Sequence, residues 1–237
     1  MTVPTTSMTP TTANPDDRIR IGVSQCLLGA NVRFDGGHAR DRFVPDTLDQ
    51  WVEFVPVCPE VEIGMGTPRP TIRLIDEGEG VRLVNPRSGE DHTEAMEAYA
   101  HRRVAQLKRA NLDGYIVKRR SPSCGMARVP VYEQGQRRGG GIGVFTRVLM
   151  EEWPALPIEE EGRLNDPMLR ESFIERIFCR HRWRMLVKEG LTRGRLIAFH
   201  THHKLLLRAH DRTAYQQLGR LVASLTPDNQ DAVFAAY

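Results

Sequence analysis

No uninterrupted apolar run in this 237-residue chain approaches the roughly 20 residues of a membrane helix, which leaves no candidate span and no membrane partner. The opening MTVPTTSMTPTTANPDD has no apolar centre of the kind a signal peptide carries. It is rich in Thr and Pro, so residues 1–17 read as a disordered tail and the cytoplasm becomes the expected compartment. Cysteine is scarce: there are four, and none forms the tight C-x₂₋₄-C pair typical of structural zinc. In a reducing compartment, structural disulfides are not expected among them. The single glycine-rich run, QRRGGGIG, lacks the Lys-Ser/Thr of a nucleotide loop and is a weak phosphate signal. No internal repeat is evident. With 40% hydrophobic and 27% charged residues, the chain has the make-up of an ordinary folded protein, large enough for one good-sized core or two small ones.

Three of the four cysteines share a setting. RIRIGVSQ (18–25) reads as a strand and ends in Cys26; VEFVPV (52–57) reads as a strand and runs into Cys58-Pro59-Glu60. GYIVK (114–118) is a third strand, followed by RRSPSCG with Cys124. Each cysteine lies just past an apolar run, in a segment rich in Gly and Pro. Between the second and third strands, TIRLIDEGEGVRLV (71–84) alternates like a hairpin flanking the main sheet. A helix then carries Met96, Ala100, Val104 and Leu107 at helical spacing behind a capping-box pair, Asp91 and Glu94. The order strand, helix, strand predicts a parallel crossover, hence an α/β domain with a Rossmann-like open parallel sheet. In such a sheet the carboxyl ends of the strands share one edge, so three thiols far apart in sequence are expected at one crevice.

The glycine run reads as a flexible loop before a helix with Val144, Phe145, Val148 and Leu149. The domain is placed at residues 18–153 and PALPIEEEG marks an exposed linker, 154–164. Residues 165–237 read as a smaller all-α domain. Asp166-Pro167 opens its first helix, with Phe173, Ile174, Ile177 and Phe178 on one stripe and Arg176, Arg180, Arg184 and Lys188 on another. A second helix carries FHTHHKLLLRAH, and a third, around Tyr215, Leu218, Leu221 and Val222, stops before Pro227.

The net charge of +3 conceals a strong polarity. Residues 1–97 hold nine Lys/Arg against sixteen Asp/Glu, whereas 98–150 hold eleven against two, and Arg176 to Arg208 nine against Glu189 alone. Two basic blocks in one small protein point to a polyanionic partner, because phosphate neutralisation is the main sequence-independent source of nucleic-acid affinity.

Three thiolates with a His could close a zinc site, but widely spaced, unpaired ligands fit an iron–sulfur cluster better. A cubane held by only three cysteines leaves one iron open as a Lewis acid, able to capture a substrate atom without redox change.

Ser24-Gln25-Cys26-Leu27-Leu28-Gly29 with Val32-Arg33-Phe34-Asp35-Gly36, then Cys58-Pro59-Glu60 with Gly64 and Pro68-Arg69, then Ser121-Pro122-Ser123-Cys124-Gly125 resemble, in order, the motifs of the thiouracil desulfidase family. The resemblance covers about residues 18–150. Residues 165–225, with DPMLRESFIERIFCRHRW and LIAFHTHHKLLLRAH, resemble the helical domain fused to it in the tRNA 2-thiouridine desulfidases. What this implies is a 4Fe-4S cluster bound by Cys26, Cys58 and Cys124, with one iron not ligated by protein. That iron takes the thiocarbonyl sulfur of 2-thiouridine in tRNA, water and hydrosulfide being the small ligands. Glu60 is implied as the base that activates water and Ser121 as the hydroxyl that positions substrate or water. Free 2-thiouracil is the alternative substrate. A zinc-dependent hydrolase using the three cysteines and His38, and a non-catalytic RNA-binding adaptor, are the alternatives from other classes.

Phe34 stands where the family often has Tyr and Met65 where Leu is common, and neither is expected to touch the chemistry. The helical domain, ending at Tyr237, is shorter than is usual. Cys179 reads as packing, not as a fourth ligand. His200, His202 and His203, with no carboxylate or cysteine at ligand spacing, read as surface or RNA-facing residues.

Overall fold

Runs of β-branched and apolar residues build a four-stranded parallel sheet in the order β2-β1-β5-β8, where β1 is Ile19–Ser24, β2 Val52–Val57, β5 Gly114–Val117 and β8 Ile158–Glu160. A second four-stranded sheet has the order β4-β3-β6-β7, from β3 (Arg73–Asp76), β4 (Val81–Val84), β6 (Val129–Glu133) and β7 (Gln136–Gly141). These elements come from a computed structural model that describes residues 17–78 and 80–237. The tail expected over 1–17 lies, apart from Asp17, outside the described residues. The chain divides into two compact units between Ile177 and Phe178. The first holds both sheets, so the expected architecture, an open parallel-sheet domain followed by helices, is what the structure shows.

The core of the first unit forms where the helical stripes meet the sheets. Helix α2 (Thr93–Arg109) buries Met96, Ala100, Val104 and Leu107, and α3 (Val144–Glu152) buries Phe145, Val148 and Leu149 against Tyr115 of β5. Phe145 lies 6.0 Å, centroid to centroid, from both Tyr99 and Tyr115. Gly22 permits the tight seat of Tyr115 on the sheet, since a Cβ there would come within 2.2 Å of that ring. At the start of α2, Asp91 accepts from the Thr93 N–H at 2.8 Å, two positions on, in place of the reciprocal box with Glu94.

Three sequence readings are corrected. The 71–84 hairpin forms as expected, but it belongs to the second sheet, through the parallel pairing of β3 with β6. The glycine run is not a loop. It forms β7, antiparallel to β6, and side chains are excluded because a Cβ on Gly140 or Gly141 would meet Arg128 or Val131 at 2.8 Å. Within 154–164, read as an exposed linker, Ile158–Glu160 form the buried edge strand β8. Its acids are buried and partnered, not solvated. Glu159 pairs with Arg163 at 2.7 Å, Glu160 accepts from the N–H groups of Met126 and Ala127, and the following Glu161 accepts from Arg119 N–H and pairs with Lys118.

The second unit, Phe178–Tyr237, is helical. Helix α4 (Pro167–Lys188) begins in the first unit, its first turn capped by Asp166, which accepts from the Met168 and Leu169 N–H groups. Helix α5 (Arg193–His210) is capped by Thr192 and α6 (Arg212–Ala223) by Asp211; α7 (Gln230–Ala236) follows. Leu196, Leu225 and Val233 form the core of this unit, with Trp183 and Tyr237 packed against it. Among the described residues no helix is long and apolar enough to cross a membrane.

Glu160→Leu keeps the volume of the side chain but removes the acceptor of the half-buried Met126 and Ala127 N–H groups, at a cost of about 1–3 kcal/mol in all. Urea unfolding should show a midpoint lowered accordingly, with the slope unchanged.

Candidate functional site

Strands β2, β1 and β5 lie side by side and parallel, so their carboxyl ends meet at one edge of the sheet. Cys26 follows β1 in the helical turn Gln25–Leu28, Cys58 follows β2 as the residue capping helix α1 (Pro59–Glu62), and Cys124 lies in the loop after β5. All three are buried, and they line a single cavity of about 290 Å³ together with Glu60 and Ser121. The structure thus brings together the five residues singled out in the sequence.

The loop holding Cys124 is seated on the first turn of α3. The N–H groups at the start of a helix have no partner within it. Here Gly143 N–H donates to Gly125 O at 2.8 Å, Val144 N–H to Pro122 O at 3.1 Å and Phe145 N–H to Ser123 O at 3.0 Å, while the Thr146 hydroxyl donates to Cys124 O at 2.6 Å. Only glycine fits at 143, because a Cβ there would stand 2.5 Å from the backbone of Ser123. These donors, considered from sequence for phosphate, are engaged by the chain itself.

Glu60 is held at both oxygens. Arg69, itself buried, donates Nε–H to Oε2 at 2.7 Å and pairs with the same oxygen through Nη2, also at 2.7 Å, and the fully buried Ser123 donates its hydroxyl to Oε1 at 2.6 Å. Arg69 is fixed in turn by the Gly66 carbonyl at 2.9 Å. The Ser121 hydroxyl accepts from the N–H groups of Cys124 (3.1 Å) and Ser123 (3.3 Å). A hydroxyl has two acceptor positions and one donor; with both lone pairs engaged, its O–H is left to donate. Glu62 braces the Cys58 turn, accepting the Cys58 N–H at 3.1 Å and the Tyr99 hydroxyl at 2.7 Å.

Burial pushes the Cys26 thiol up to about 11, with the neighbouring Cys58 adding to the effect. Burial also raises Cys58, and raises Cys124 well above the ordinary thiol range, there with the charge of Glu60 as the next cause. The Cys58 thiol donates to the Val32 carbonyl at 3.7 Å. Among the described residues no three His, Cys, Asp or Glu side chains are arranged to hold one metal ion. A mononuclear tetrahedral site would need sulfurs about 3.7 Å apart around metal–sulfur bonds of about 2.3 Å. The thiols share a cavity without converging on such a point.

Other sequence candidates stand elsewhere. His38 is not among the residues lining the cavity, and its Nδ1 accepts from the Arg40 N–H at 3.2 Å. Cys179 lies in the second unit. His202 and His203 each bond the carbonyl four residues back, and His203 is buried against Phe199, ring centroids 4.1 Å apart, so it does not face a partner. Phe34, expected to stand clear of the chemistry, lines the cavity. Ser123 was missed because its hydroxyl is indistinguishable in sequence from that of a turn-former. Arg69 stands in the sequence only as part of the Pro68-Arg69 motif, nine residues from the carboxylate it grips.

The 2-thiouracil desulfurase family matches residues 21–161, well over half of the sequence and the whole of the cavity wall. The chain belongs to this family. Membership supports a thiouracil-type desulfidase reaction. An uncharacterised protein of Bacillus subtilis, YbbK, is 31% identical over 149 residues, 61% of this chain and 97% of that protein. A second, YbgA of Escherichia coli, is 40% identical over 55 residues, 23% of this chain and 32% of its own. Among solved structures, a protein described as the 4Fe-4S-dependent thiouracil desulfidase TudS superimposes with a TM-score of 0.52 at 29% identity, over 65% of this chain and 99% of that one.

In the metal-free protein, Cys26 should resist alkylation at neutral pH. The thiolate is the reactive form, so a shift from 9.0 to about 11 lowers its iodoacetamide rate about a hundredfold relative to an ordinary thiol, with a tenfold rise per pH unit toward that value. Mass spectrometry of the alkylated peptide across a pH series gives the rate at each pH.

Proposed function

We propose that this chain is a non-redox desulfidase that hydrolyses a 2-thiouracil base to uracil and hydrogen sulfide, with a 4Fe-4S cluster held by Cys26, Cys58 and Cys124. The observation that carries the reading is a carboxylate clamped at both oxygens on the wall of the cavity that holds all three thiols. The donor set fits the group. Its ligands are all thiols, the usual iron–sulfur donors, and a polynuclear cluster binds them through separate irons, so they need not converge. When bound, the cluster supplies an open iron, a Lewis acid for the thiocarbonyl sulfur, with no change of oxidation state.

The protein's own groups do the rest. Oε1 of Glu60 keeps a lone pair free of the Ser123 bond, and this takes a proton from water as the water oxygen bonds to C2 of the base. The C2–S bond then breaks as Glu60 returns its proton to sulfur, which leaves as hydrosulfide, and the remaining water proton is released to solvent as the C2 carbonyl forms, so one water is consumed and no electrons are exchanged. The Ser121 O–H donates to the base or to the attacking water. Arg69 and Ser123 keep the carboxylate from rotating away.

Free 2-thiouracil is the substrate in this reading, supported by the family and by the activity for which the structural relative is described. A second reading, 2-thiouridine within tRNA, is favoured by the cavity wall, where Arg33, Arg69, Lys118, Arg119 and Arg120 outnumber the one acid, Glu60. Sulfide release from the two substrates over a salt series separates them. Turnover of the free base that is indifferent to salt supports the first, and turnover of tRNA alone, falling steeply with salt, replaces it with the second. No sulfide from either, with a full cluster present, rejects the reaction.

Cys26→Ala should lose the cluster's broad visible absorption. Glu60→Gln, which preserves the volume beside Arg69, should retain the absorption and lower kcat by about 10²- to 10⁴-fold; an active Glu60→Gln enzyme would show that another group is the base.

A further inference from the structure

The cavity wall carries one exposed aromatic side chain that nothing in the proposed reaction has used. Phe34 is 41% exposed, among the more open large apolar residues of the protein, and it lines the same cavity as the three cysteines and Glu60. A single exposed apolar side chain needs no explanation on an open surface, but on the wall of a ligand-sized cavity its bare face is apolar area that a bound ring would remove from water.

Its setting is rigid. Residues 33–37 form a closed turn, with Gly36 N–H donating to Arg33 O at 3.0 Å and Arg33 N–H to Gly37 O at 3.1 Å. The Arg33 guanidinium lies over the Phe34 ring at 5.7 Å from its centroid, and is held there by Asp35 at 3.0 Å and by the His38 carbonyl at 3.2 Å. One face of the ring is thereby backed by a fixed cation. The Phe34 carbonyl accepts the Arg69 N–H at 2.9 Å, and the Arg69 side chain grips Glu60. Aromatic ring and carboxylate are therefore set by one continuous hydrogen-bonded frame.

We propose that Phe34 is the platform on which the pyrimidine ring of the substrate stacks, so that the site selects planar heteroaromatic thiocarbonyls over aliphatic thioamides. This rests on the thiouracil reading. Stacking is tolerant of ring identity because every base has a π-face, and it contributes through binding more than through the chemical step.

The test uses the full-length, cluster-loaded chain with Phe34→Ala and Phe34→Tyr. Binding of uracil, which shares the ring but cannot turn over, is measured by equilibrium dialysis beside KM and kcat for 2-thiouracil. Phe34→Ala should weaken uracil binding and raise KM at least about fivefold with kcat within about twofold, while Phe34→Tyr restores both. The visible absorption should be the same in all three proteins. Wild-type uracil affinity in Phe34→Ala would overturn the platform whatever the activity. Phe34-dependent uracil binding by a wild-type protein that releases no sulfide would uphold the platform and reject the desulfidase reading instead.

Discussion

The site depends on one docking: the carbonyls of the Ser121–Gly125 loop resting on the free N–H groups of helix α3. This contact meets two needs at once. The helix start has donors without partners, and the loop has buried carbonyls without partners; either set left alone would be costly. With the loop so fixed, Cys124 faces the cavity, the Ser121 hydroxyl is saturated on its acceptor side, and Ser123 reaches Glu60. Glu60 then meets Arg69, and Arg69 meets the backbone of Phe34. A single chain of bonds runs from a helix terminus to the cavity wall opposite in sequence.

Charge is handled by pairing at the places where burial would otherwise forbid it. Losing one partner of a buried ion pair costs about 3–5 kcal/mol, comparable to a large share of a domain's net stability. The Glu60–Arg69 pair is of that kind. Glu159, Glu160 and Glu161 follow the same rule with Arg163, two backbone N–H groups and Lys118. The thiols are the exception. Lys118 and Arg33 beside Cys26, and Arg69 beside Cys58, pull the thiols down by less than burial pushes them up, and the raised pKa values follow. Under the proposed function a bound cluster would offset that burial, since metal ligation favours the thiolate over the proton.

The sequence made legible what periodicity and position encode. Strands ending in Cys26, Cys58 and near Cys124, and the apolar stripes of α2, α3 and α4, fall where alternation and helical spacing put them. The second sheet was not legible. Strand β7 is almost all Arg and Gly, with no alternation to read, and β6 carries Pro130 in its midst. Strand β8 was hidden by its own glutamates, whose burial depends on partners more than thirty residues away for Glu160 and Glu161. Within the site, position at the strand ends pointed to the cysteines, and the family resemblance pointed to Glu60 and Ser121. The roles of Ser123 and Phe34 arise only from which way a loop turns, and a single sequence carries no signal for that.

The placement of Glu160 also bears on the order in which the protein is made. Its carboxylate closes the far side of the Cys124 loop, yet it lies 34 residues beyond Met126. A growing chain that has exposed all three cysteines to the cell therefore still lacks the strand that holds the last of them in position. The pocket that the three thiols line is completed only after β8 has been translated, and a ligand that needs all of it binds the folded domain and not the nascent chain.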